Sequence, residues 1–157
     1  MAHFDQNTQL NRGVIINPKS SSTVYITEGI ETGLSILEAR SQDRVIASLS
    51  VTNLKNVPLP DSTRKVVLCA DHDGLNTSSH QALIKAADSY VERGLDVYIA
   101  YPEKISDMKK IDFNDVLKNL GVSSISSSLQ NAKAYKKLEV NQLNQTHILK
   151  NNKELIL

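Results

Sequence analysis

ITEGIETGLSI, residues 26–36, decides how this chain is read. It closes a β-rich apolar run at 24–27 and sets a carboxylate and a glycine, Glu28-Gly29, where a helix begins. That helix carries Leu34, Leu37 and Glu38 at helical spacing. A second stretch, VVLCADHDGLN at 66–76, repeats the design, with a continuously apolar strand at 65–70 ending on Asp71 and Asp73. An apolar run at 44–49 lies between them, so the first half reads β-α-β. Residues 51–60 then predict a short helix or turn stopped by Pro58 and Pro60.

Working outward, Thr77, Ser78 and Ser79 offer N-caps to a helix whose Leu83, Ala86, Ala87, Tyr90 and Val91 share one face, with Gly94 as its stop. A strand at 96–101 is closed by Pro102, and a short helix at 112–120 ends at Gly121. Val14-Ile15-Ile16 predicts an edge strand. The alternation specifies an α/β domain with a central parallel four-stranded sheet flanked by helices, because a continuously apolar strand needs cover on both faces. Three segments are expected: an N-terminal segment at 1–12, the domain at 13–121, and a serine-, asparagine- and lysine-rich tail or weak helix at 122–157. In such sheets ligands bind beyond the carboxyl ends of the strands, which is where Glu28, Asp71 and Asp73 fall.

The 157 residues suit one ordinary domain, and a formal charge of +1 gives no bulk field for nucleic acid or membrane. Cys69 is the one cysteine, so there is no intrachain disulfide and a reducing compartment is expected. The opening residues lack the basic and apolar regions of a signal peptide, and no apolar run approaches the ~20 residues of a membrane span. A cytoplasmic protein without a membrane partner is the expectation. Tryptophan is absent and aromatics are few, which argues against a surface of exposed rings gripping single strands.

Carboxylates crowded on a sheet edge repel one another and require a cation or protons. Magnesium, with its preference for hard oxygen ligands, is the natural candidate. An Asp-His-Asp-Gly sequence also makes an ordinary turn, and Glu28 also suits a helix dipole. His72, between the two aspartates, would face away from them in a regular strand. An EF-hand is excluded, since Asn76 and Ala82 stand where glycine and glutamate are needed. No Walker A or G-x-G-x-x-G sequence follows a strand. A third acidic element, KKIDFNDVLKNL at 109–120, places Asp112 and Asp115 about Asn114 at a helix start, where N-capping is the plain reading. The three elements together, in this order on this pattern, are specific.

The set resembles a Toprim domain, the catalytic module of bacterial-type primases, topoisomerases and some nucleases. ITEGIETGLSILEA resembles the family's glutamate-glycine motif, CADHDG its D-x-D motif, and KIDFNDVL the K-x-D-x-N-D element of primase-type members. ASLSVTNLKNVPLP is similar to the matching segment in primases of plasmids, phages and conjugative relaxases. The resemblance implies that Glu28 acts as general acid or base or as a ligand, and that Asp71 and Asp73 bind Mg2+ or Mn2+. It further implies that Asp112 and Asp115 complete a second metal site, with Gly29, Glu31, Gly74 and Asn114 in support. Lys109 and Lys110, beside the acidic element, are candidates for contact with a nucleic-acid backbone. The implied function is a Mg2+-dependent catalytic domain of a primase-like or relaxase-associated DNA-processing protein. Its partners would be DNA, RNA or nucleotides, together with other primase, helicase or relaxase domains, since one cysteine excludes a multi-cysteine zinc site in the chain itself. The competing reading is a non-catalytic metal- and nucleic-acid-binding module or a relic of a mobile-element primase.

Overall fold

The computed structural model describes residues 13–72, 74 and 77–137. In chain order the elements are β1 (Val14–Asn17), β2 (Thr23–Thr27), α1 (Ile30–Ala39), β3 (Arg44–Ala47), a 3-10 helix (Val51–Asn56), β4 (Lys65–Cys69), α2 (Ser78–Glu92), β5 (Asp96–Ala100), α3 (Phe113–Leu120), α4 (Val122–Gln130) and β6 (Lys133–Ala134). The expected parallel core is present as β3-β2-β4-β5. β1 adds to β3 and β6 to β5, both antiparallel, so the sheet is mixed and six-stranded.

The central strands are rich in β-branched residues and buried on both faces, as parallel strands require. One face packs Val24, Ile26, Val66 and Leu68 under the 3-10 helix and α2. There the Tyr90 hydroxyl donates to the Leu54 carbonyl at 2.6 Å, clasping these two elements together. The other face packs Tyr25, Val45 and Val67 beneath Ile36 of α1, Phe113 and Val116 of α3, and Ile125 and Leu129 of α4. At the β1 edge, Asn17 Nδ2 donates to the carbonyls of Ser41 (3.0 Å) and Asp43 (2.7 Å), fixing the turn between α1 and β3.

Two features depart from what local hydrophobicity alone suggests. Leu34 is 50 % exposed; α1 buries Thr32, Gly33, Ser35 and Ile36 instead. Small residues let the helix approach β1 closely, with Gly33 against Ile16, so the buried stripe is not the most hydrophobic one. The serine-rich run after Gly121 folds as α4 on the core, and β6 then pairs with β5, so the packed unit continues past residue 121. Among the described residues no helix is long and apolar enough to cross a membrane.

Candidate functional site

The glutamate-glycine element is held by a ladder that outlasts its strand. Beyond β2 and β3, Ser48 N–H donates to the Thr27 carbonyl and Leu49 N–H to the Glu28 carbonyl, each at 2.8 Å. Leu49 takes a left-handed φ of 67° to do so, a conformation that costs a non-glycine residue free energy. The Thr27 hydroxyl donates to the Gly29 carbonyl at 2.9 Å, and Gly29 is the N-cap of α1 with no side-chain cap. Gly29 has an ordinary φ of −96°, and an added Cβ there would meet no atom within 4 Å. Neither backbone conformation nor packing among the described residues calls for glycine at this position.

The second element sits on the neighbouring strand. Past Cys69, Ala70 N–H donates to Ala100 O at 2.9 Å; His72 N–H then donates to Ile111 O at 2.8 Å, turning the chain away from strand geometry toward the third element. Asp71 lies between these two bonded residues, Gly74 has a φ of 91°, and Asp73 lies outside the described residues. The strand ends at Cys69, so alternation no longer governs His72. Its side chain lines the same cleft as Asp71, not the opposite side, with its ring centroid 5.7 Å from that of Tyr101. Burial, and secondarily the Asp71 carboxylate, push the Cys69 thiol well above its ordinary range.

The third element opens α3 with a capping box. Asp112 accepts from Asp115 N–H at 2.8 Å and Asp115 accepts from Asp112 N–H at 3.1 Å. One oxygen of each carboxylate is thus used on the backbone. Asn114 Nδ2 donates to Glu31 Oε2 at 3.3 Å, linking the first turns of α1 and α3. Two contacts therefore draw the three separated motifs to one end of the sheet: Glu31 with Asn114, and His72 with Ile111. Lys109 and Lys110 are exposed on the loop before α3.

A cleft of about 770 Å³ opens at this end. Glu28, Asp71, His72 and Gly74 line it, joined by Tyr101 and Glu103 after β5, by Thr77, Ser79 and His80 at the start of α2, and by a floor that includes Leu54, Leu83 and Ile99. Gly29, Glu31, Asp112, Asn114, Asp115, Lys109 and Lys110 are not among the lining residues. Among the described residues, no three of His, Cys, Asp or Glu are grouped to hold a metal ion. Tyr101, Glu103 and His80 escaped the sequence reading; the one available signal was that Tyr101-Pro102 ends a strand at this same edge.

A mixed α/β sheet whose adjacent parallel strands β2 and β4 lead into Glu28 and Asp71 at one cleft defines a domain with an acidic site on its carboxyl edge. Residues 23–123 match the Toprim domain, and the chain belongs to that family. Its fold is similar to the Aquifex aeolicus primase zinc-binding and RNA polymerase domains, with a TM-score of 0.54, 18 % identity, and 73 % of this chain and 27 % of that one covered. It is also similar to a DnaG primase catalytic domain bound to ssDNA (TM-score 0.51, 14 % identity, 73 % and 35 % covered). A DNA primase domain from Pseudomonas aeruginosa matches comparably (TM-score 0.51, 15 % identity, 71 % and 34 % covered). This chain thus spans about a third or less of those structures. No curated protein matches it.

Proposed function

We propose that this Toprim domain binds Mg2+ or Mn2+ at Glu28, Asp71 and Asp73 and serves nucleotidyl transfer or phosphodiester chemistry. It would do so within a primase-like or relaxase-associated DNA-processing protein, alongside other domains. The observation that carries the reading is the meeting of Glu28 and Asp71 in one cleft, beside the capped acidic start of α3. Two carboxylates that line one cleft from adjacent strand ends would offer hard-oxygen donors of the kind magnesium takes, with room for water and phosphate. When bound, the metal would neutralise charge on the phosphate undergoing substitution.

The chain's own groups supply the rest. Glu28, whose carbonyl accepts from Leu49 N–H, would exchange a proton with the attacking or leaving oxygen. Thr77, Ser79 and His80 at the start of α2 line the cleft, where the helix dipole would favour an anion. The open space beside Gly29 lets a substrate group approach the backbone closely. Asp112 and Asp115 support the site from α3 and keep one carboxylate oxygen each for a second metal, and Lys109 and Lys110 meet the nucleic-acid backbone.

Titration calorimetry of Mg2+ and Mn2+ on the native chain and on the Asp71→Asn, Asp73→Asn double variant tests the reading. Binding to the native chain that disappears in the variant is expected, with the metal-free variant melting higher because two repelling charges are gone. Binding that survives the double substitution overturns it, and no binding by either chain overturns it in favour of a relic.

A further inference from the structure

The five tyrosines divide by role. Tyr25 accepts from Arg40 Nε at 3.1 Å, Tyr90 donates to Leu54 O, Tyr98 lies under the Lys65 ammonium at 4.1 Å, and Tyr135 donates to Asp88 at 2.8 Å. Each of these four has a structural partner. Tyr101 differs: it lines the cleft with His72 as its ring partner, 44° between their planes. Its position is fixed from behind, since Tyr101 packs against the core under α2 and buried Pro102 follows it. The His72 main chain is held by its bond to Ile111 O, and its ring packs against that of Tyr101. The result is a preorganised pair of flat side chains in the same cleft as Glu28 and Asp71, with apolar Leu54, Leu83 and Ile99 also in its wall.

We propose that His72 and Tyr101 form a stacking wall for one nucleobase of the substrate, setting the base in the cleft while its phosphate lies toward Asp71 and Glu28. This rests on the reading of the cleft as a nucleotidyl-transfer site and adds to it a base-binding subsite. Every base has a π-face and aromatic stacking is tolerant of sequence, so the wall recognises that a base is present more than which base it is. A cleft of about 770 Å³ accommodates a nucleotide-sized ligand. The scarcity of aromatics excludes a long stacking platform along a strand, but a single base needs only one ring pair.

Binding by the full chain in Mg2+ separates base from backbone. The probes are a labelled oligodeoxynucleotide against an abasic oligomer of equal length, and a nucleoside triphosphate against inorganic tripolyphosphate. Tyr101→Ala is expected to weaken the base-bearing probes ~5- to 100-fold and leave the abasic and inorganic probes unchanged, while Tyr101→Phe retains affinity. His72→Ala, on a half-buried loop position, is expected to show the same base-dependent loss and stands in if Tyr101→Ala does not fold. Which of the two base-bearing probes responds tells a strand from a free nucleotide. Equal losses on base-bearing and base-free probes, or no loss in either alanine variant, overturn the wall. Metal calorimetry on the same samples tells the two failures apart. Intact metal binding without base dependence sinks only this inference, whereas a native chain that binds no metal sinks the site reading beneath it.

Discussion

The Cys69 thiol, 5 % exposed and two residues before Asp71, is pushed upward first by burial and then by the neighbouring carboxylate. The folded state therefore holds this proton more tightly than the unfolded chain. The resulting stability is complete below the unfolded thiol's ~8.5 and is lost as pH climbs toward the folded value. Buried Tyr90, pushed up to about 12, acts in the same sense at higher pH. Urea midpoints measured from pH 7 to 10.5 are expected to fall above about pH 8.5, with a shallower fall in Cys69→Ala. Native Cys69 should also react with a thiol reagent far more slowly than in the unfolded chain. At this scale the sequence told well which residues stand at the strand tips, because strand ends follow from apolar runs. It misdirected His72, because alternation holds only while the strand persists, and here the strand ends at Cys69, with one further ladder bond from Ala70 before His72 turns to Ile111.

Among the elements, α3 shows a structural role for its acidic residues, and the proposed metal site would give them a second. The capping box spends the Asp112 and Asp115 carboxylates on backbone N–H groups, a structural duty that Asn performs about as well as Asp at an N-cap. Asp112→Asn should therefore hold stability to within about 0.5 kcal/mol, whereas Asp112→Ala should lose roughly 0.5–2 kcal/mol. Urea unfolding in EDTA reads this difference. If the acidic element also supports metal, Asp112→Asn weakens Mg2+ binding despite its intact helix. The cap was legible from D-x-N-D at a helix start. The face of α1 was not, since Gly33 is buried by close approach to Ile16 of β1, and Thr32 and Ser35 are buried although neither is hydrophobic.

Across the whole molecule, cover on the second sheet face is completed by α4, an element built largely of serine. Ile125, fully buried, and Leu129 anchor it, so Ile125→Ala is expected to cost about 2–5 kcal/mol as a core cavity. Leu34→Ala, at a half-exposed position with greater apparent hydrophobic promise, should stay within about 0.5 kcal/mol. Chemical denaturation of the two variants side by side checks that contrast; comparable losses would mean the assigned faces are wrong.

By itself the sequence determined the four parallel strands, the positions of their helices and the acidic residues at their tips. Each of these depends on local periodicity, on caps and on the rule that a doubly covered strand is apolar throughout. Only the tertiary structure decided that the serine-rich segment belongs to the core, that β1 and β6 close the sheet antiparallel, and that His72 and Tyr101 meet beside Asp71. Those outcomes depend on contacts between residues far apart in the chain, such as Glu31 with Asn114 and His72 with Ile111. Such contacts form because packing and backbone hydrogen bonds must be satisfied together, and no local pattern in the sequence records them.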